Sequence, residues 1–268
     1  MGSFIIKKVK RLYPKMVLSV IWFCTAGLIY RALYGHFWAG REIDLSNALL
    51  TALGINRWVL SAGGDINGPL WYVSVLMLCY CVFGLISSVK LSDDYKNVLF
   101  GLMVILGIIS QLNDLTFPLL AGKVGRGYMC FFTGVCMALL LRTYPKLKNP
   151  FIAVVMIAVY TVAINITENY GIDILGNKNI AAIFTIAPAF IMLGETGIFK
   201  KLFNHKVFEW LGKISYPMYL YHIPTYLSFG IIFRDTVDYN SYIIIFIITA
   251  GVCALGCVAE KDWNIRGL

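Results

Sequence analysis

The run FIAVVMIAVYTVAI, Phe151–Ile164, has no charged residue and no apolar–polar alternation. Strands of a transmembrane barrel alternate with period two, so this segment does not read as one of them. A helix crossing a bilayer needs about 20 predominantly apolar residues. Working outward on that criterion gives eight helices: Pro14–Tyr34, Pro69–Val89, Asn97–Leu112, Arg126–Leu141, Phe151–Ile166, Asn179–Glu195, Ile214–Phe233 and Ser241–Ala259. Of the 268 residues, 59% are hydrophobic and 14% charged, whereas a soluble domain carries about 25% charged residues. The expectation is an all-α, polytopic transmembrane helix bundle of about eight helices. No linker or repeat interrupts it, so a single domain is expected over residues 1–268.

A formal net charge of +9 raises the question of nucleic acid, but the placement of the charges argues otherwise. With the N-terminus in the cytoplasm, 16 of the 23 Lys and Arg fall on the inner side and 7 on the outer side. That bias is the positive-inside rule, and it puts both termini on the cytoplasmic side of an inner or plasma membrane. The implied partners are membrane lipid with anionic headgroups, or a phosphate-bearing donor at the inner face, and not nucleic acid. The charge that follows the first few apolar residues excludes a cleavable signal peptide, so the first long apolar run is expected to stay as a helix. All seven cysteines lie within predicted spans, where Cys behaves as a small apolar residue and free thiols are expected. The CYC at 79–81 lacks the spacing of a zinc site, and no metal is expected.

The longest outer connection runs from Gly35 to Gly68. In its middle, Ile43, Leu45, Leu49, Leu50 and Leu53 are spaced for a short amphipathic helix at the interface, started by Asp44 or Ser46. It is either a lid on the outer leaflet or part of an acceptor site.

Several side chains could carry chemistry. His222 lies inside the seventh span, where an ionisable group is costly and faces protein or water. Tyr219, at i−3, shares its helical face. Pro217 and Pro224 free backbone carbonyls that can line a polar cavity. An imidazole titrating near neutrality can carry a proton, or can simply bond a neighbouring helix. Lys7, Lys8, Lys10 and Arg11 form a basic cluster before Pro14, either topogenic or able to grip phosphates. Trp71 suits the aromatic belt at the start of the second span, with Ser74 one turn further on. Arg126 either snorkels to the outer boundary or binds an acidic group of an acceptor. His36 and His205 stand in loops and read as solvated.

The order LGKISYPMYLYHIP, Leu211–Pro224, is similar to the late signature LGxISYxxYLxHxP of acyltransferase family 3. The basic cluster resembles that family's K-R-x-x-R-[IL]-x-P helix start, with Lys8 where Arg is usual and Arg11 and Pro14 in register. The segment from Trp71 resembles W-S-L-S-V-E-E-x-x-Y: Ser74 and Tyr80 match, while Leu76 and Met77 replace the acidic pair. Phe131-Phe132-x-Gly134 resembles an inner helix in which a glycine allows close packing.

The resemblance implies a membrane O-acyltransferase with acyl-CoA, most simply acetyl-CoA, as co-substrate and no permanently bound cofactor. The acceptor implied is a hydroxyl of an envelope polysaccharide or related glycan. It assigns Lys8 and Arg11 to the donor, His222 and Tyr219 to catalysis, and Arg126, Trp71 and Ser74 to the acceptor path. Family members have ten helices, the first carrying an Arg and the His taken as the catalytic base. Nothing in this sequence matches that helix, so an N-terminally short member lacking that base is expected. The rival readings are a translocase of lipid-linked sugar, which should show paired intramembrane charges or inverted repeats, and a catalytically inactive partner protein.

Overall fold

The computed structural model describes residues 2–40, 42–59, 66–171, 177–233 and 243–254. Among these there are helices and no strand. They are α1 (Gly2–Tyr34), α2 (Leu45–Ala52), α3 (Asn56–Val59), α4 (Leu70–Ser88), α5 (Asp93–Leu112), α6 (Lys123–Thr143), α7 (Pro150–Tyr170), α8 (Lys178–Gly194), α9 (Gly197–Phe203) and α10 (Lys206–Phe233). A further apolar helix, α11, covers Ile243–Ala254. Five of them, α1, α4, α5, α6 and α7, are long and apolar enough to cross a membrane. Although α10 has 28 residues, four tyrosines, two prolines and His222 dilute its hydropathy. Residues 241–242 and 255–259 of the last expected span, Cys257 among them, lie outside the described residues.

The chain divides into two compact units. One comprises residues 1–85, 116–124 and 210–268; the other comprises 86–115 and 125–209.

In the first unit, α1 begins 12 residues before the span expected from hydropathy and runs unbroken through Pro14. Lys and Arg are good helix formers, so a hydropathy criterion misses this polar first third. The extension places Lys8 and Arg11 on a rigid helix, three residues apart and therefore on one face. Similarly, α10 begins eight residues before its expected start and stays helical through both prolines.

Pro224 has no N–H to offer the carbonyl four residues back, that of Leu220. Two other segments supply donors instead. The Ser19 hydroxyl of α1 donates to the Leu220 carbonyl at 2.8 Å, and the Asn67 amide donates to it at 3.0 Å. The same Asn67 amide donates to Ser19 Oγ at 2.8 Å. Ser19, Asn67 and Leu220 are all completely buried. Further bonds join the two helices: Tyr216 OH donates to the Leu12 carbonyl at 2.9 Å, Trp22 Nε1 to Ser228 Oγ at 3.0 Å, and Tyr34 OH to the Ile231 carbonyl at 2.7 Å. Partners rise together along both chains, so α1 and α10 run parallel. Met16, Val20, Leu70, Val73, Ile214 and Leu220 pack around this seam.

The amphipathic helix expected in the outer connection is α2, capped by Asp44. Its carboxylate accepts from the Ser46 hydroxyl and, at 3.0 Å, from the Asn47 N–H. These two bonds hold the carboxyl below the ordinary carboxylate range. Leu45, Leu49 and Leu53 point away from the protein, as an interfacial helix requires.

In the second unit, α5 buries Phe100, Val104, Gly107 and Ser110 at helical spacing. It exposes Val98, Leu102, Ile105, Ile109 and Leu112 on the opposite face. A continuous apolar stripe without a protein partner is what lipid solvates. The glycine contact expected at Gly134 is not there: a Cβ on Gly134 would meet nothing within 4 Å. The close approach is at Gly107 and Gly125. A Cβ on Gly107 would lie 2.5 Å from the Met129 nitrogen and 2.6 Å from the Gly125 carbonyl oxygen.

The seam can be tested by stability. Asn67→Leu should cost about 1–3 kcal/mol by stripping a partner from a buried carbonyl. Pro224→Ala in that background should restore part of the loss, because the alanine introduced there has an N–H to donate to the Leu220 carbonyl. Strictly additive melting temperatures in detergent would contradict this coupling.

Candidate functional site

Three helices of the first unit build a cleft of about 440 Å³. Lys8 and Arg11 come from α1. Tyr72, Leu76 and Tyr80 come from one face of α4 at four-residue spacing, and Ser215, Tyr216 and Tyr219 from α10. The Lys8 ammonium lies 5.1 Å from the centre of the Tyr80 ring and 5.4 Å from that of Phe4. Phe4 and Tyr80 meet edge to face at 5.9 Å, so the cation is held between two rings. Tyr72 packs edge to face on Tyr219, 5.6 Å between centres. The Tyr216 hydroxyl is committed to the Leu12 carbonyl.

A second cavity in the same unit, of about 1130 Å³, lies along the next face of α10. His222, Tyr226 and Met218 line it from α10, Ile245 and Thr249 from α11, and His36 and Trp38 from the turn after α1. Ser215 and Tyr219 line both cavities. The Tyr219 and His222 rings are 6.2 Å apart. His222 Nδ1 is 3.3 Å from the Met218 carbonyl. A carbonyl only accepts, so a hydrogen bond here has Nδ1 as its donor, and the tautomer that makes it has Nε2 as its acceptor nitrogen.

Of the residues singled out in the sequence, Lys8, Arg11 and Tyr219 therefore share one cleft, and Tyr219 and His222 share the adjoining cavity. Trp71 and Ser74 line neither. The Lys123 ammonium sits 5.4 Å from the Trp71 ring centre. Ser74 is fully buried: its hydroxyl accepts from the Arg57 N–H at 3.2 Å, and its carbonyl accepts from Trp58 Nε1 at 2.9 Å. It ties α3 to α4. Arg126 belongs to the second unit, where it lines a cavity of about 420 Å³ with Asp114 and Gln111.

His36, a solvated loop residue by sequence, is exposed in the structure and also lines the larger cavity. Gly35 ends α1 with φ +79°, a left-handed turn that folds the chain back and brings the His36 ring to 5.6 Å from Tyr30. The glycine directly after a long helix is the one signal of this in the sequence. Among the described residues no group of His, Cys, Asp or Glu is placed to hold a metal ion. The six described cysteines are free thiols.

Five helices long and apolar enough to cross a bilayer, with further apolar helices beside them, define a multi-pass helical membrane protein. The family model of the acyltransferase domain, acyltransferase family 3, matches residues 1–259. The chain belongs to that family of membrane acyltransferases. No curated protein and no solved structure gives a significant match.

Ser74→Ala should lower the melting temperature by removing a buried acceptor, at a cost of about 1–3 kcal/mol; an unchanged melting temperature in detergent would show that the Ser74 hydroxyl does not brace α3.

Proposed function

We propose that this membrane acyltransferase moves an acyl group, most simply acetyl, from acyl-CoA at the cytoplasmic face to a hydroxyl of a cell-envelope glycan. The observation that carries the reading is the sharing of Tyr219 and Ser215 by the two cavities. It joins a basic cleft to a cavity holding a histidine. Lys8 and Arg11 suit the phosphates of the donor, with Arg11 supplying forked donors and Lys8 a point charge. The thioester then points along α10 toward Tyr219.

In the adjoining cavity the acceptor hydroxyl gives its proton to His222 Nε2 as its oxygen attacks the thioester carbonyl. The tetrahedral oxyanion needs a nearby donor, and the Tyr219 hydroxyl stands on the shared wall. Collapse breaks the carbon–sulfur bond, forms the ester, and returns the proton to the departing thiolate. The parallel course of α1 and α10 supports an orientation in which both enter the bilayer from the same side. With the basic start of α1, that side is the cytoplasm.

Two experiments test this. Lys8→Glu with Arg11→Glu should abolish binding of coenzyme A by protein still inserted in the membrane; normal binding would make the cluster topogenic only. His222→Ala should slow acyl transfer about 10²–10⁴-fold while coenzyme A still binds, and an unchanged rate would return His222 to a packing role. For orientation, a reporter fused at the C-terminus should be active only if of a cytoplasmic type. A fusion within the Gly35–Gly68 connection should behave oppositely, and identical behaviour of the two would reject the arrangement.

A further inference from the structure

The second unit holds a cavity of about 460 Å³ among α5, α6, α7 and α8 that acyl transfer does not use. Its lining includes no charged side chain, and Thr133 is the one lining residue with a side-chain oxygen. Thr133 stands at the midpoint of α6, about 15 Å from each end. Because α6 is long and apolar enough to cross a membrane, no bulk water reaches a hydroxyl at that depth. Thr133 is only 7% exposed, and its Oγ1 has no hydrogen-bond partner. Other threonines of this unit turn the hydroxyl back to the carbonyl four residues earlier: Thr161 to Ile157 and Thr167 to Ala163, each at 2.9 Å, and Thr185 to Ala181 at 2.6 Å. Thr133 does not make the corresponding bond to the Met129 carbonyl.

A buried hydroxyl left without a partner is costly, and a ligand that pairs it removes that cost. Pro188 of α8 lines the same cavity and has no N–H for the carbonyl four residues back, that of Phe184, which lines it too. The wall therefore offers a hydroxyl, able to donate or accept, and a carbonyl short of its helical donor. A hydroxyl on the ligand suits both, since it also donates and accepts. A charged ligand finds no counter-charge here and is excluded. The remaining lining is soft: Cys136, Met137, Met156 and Met192 bring four sulfurs, and Phe184 brings a ring. Sulfur gains from contact with an aromatic ring what a saturated chain does not supply.

We propose that this cavity binds a lipophilic phenol, an uncharged aromatic ring bearing one hydroxyl, which enters from the bilayer and pairs with Thr133. The volume suits a ring with a short alkyl chain. The most exposed members of the lining, Leu140 and Phe184, are apolar, as an entrance facing lipid requires. The site stands within the second unit alone and does not depend on acyl transfer in the first.

The test uses the full chain in detergent with three probes: hexylphenol, hexylbenzene, which lacks the hydroxyl, and decanol, which lacks the ring. Binding is read as protection of the Cys136 thiol from N-ethylmaleimide, by mass spectrometry of its peptide, and as the rise in melting temperature with ligand. Cys130, exposed on the same helix and outside the cavity lining, reports any general effect of the probes. Hexylphenol should protect Cys136 but not Cys130, and should bind about tenfold more tightly than either other probe. Thr133→Val, which keeps the shape and removes the hydroxyl, should erase the preference over hexylbenzene. The same variant without ligand should melt no lower than the unaltered protein, because it loses a hydroxyl that had no partner. Thr133→Ser should keep the preference. The proposal is overturned if hexylbenzene or decanol binds as tightly as hexylphenol, or if Cys130 is protected equally. It is also overturned if hexylphenol neither protects Cys136 nor raises the melting temperature, or if Thr133→Val retains the preference.

Discussion

The carbonyl of Leu220 is the constraint on which the first unit depends. Pro224 removes its helical donor, and a bare peptide carbonyl in an apolar interior costs far more than an ordinary hydrogen bond returns. Ser19 and Asn67 meet that need from two other segments of the chain, 201 and 153 residues away. Satisfying one oxygen thereby fixes the rotation of α10 against α1 and the entry of α4. Those same rotations direct Lys8, Tyr80 and Tyr219 into one cleft. The Pro224 that creates the defect sits two residues from His222, so the break in the ladder and the ionisable ring belong to one local arrangement.

Much of this is legible in amino-acid order. The apolar spans fall on helices because bilayer thickness and backbone hydrogen bonding leave few alternatives. Asp44 and the leucines after it show α2 plainly, since a cap followed by helical spacing is a local signal. The polar beginnings of α1 and α10 are not legible by hydropathy, because Lys8, Arg11 and Glu209 favour helix as readily as they avoid lipid. Pro224 announces a freed carbonyl, yet nothing in the order of residues pairs it with Ser19 or Asn67. Such pairing is tertiary. The choice among glycines fails for the same reason: Gly107 and Gly134 look alike in a helix, and only the neighbouring helix distinguishes them.

The same distinction separates the site residues. Lys8, Arg11, Tyr219 and His222 stand out by type and spacing, and the structure brings them to adjoining cavities. Ser74 matches a motif equally well, yet its hydroxyl holds α3. A serine one turn into a helix is equally suited to a ligand and to a neighbouring backbone N–H. Asp114 gives no signal in the sequence because an acidic residue at a helix end is ordinary; its meaning comes from sharing a cavity with Arg126.

Tyr219 lines both cavities of the first unit, and Tyr72 braces its ring edge-on, 5.6 Å between centres. A partition made largely of one aromatic side chain is inherited as a unit: a change of that residue alters the two compartments together, so neither can be reshaped at this point without the other.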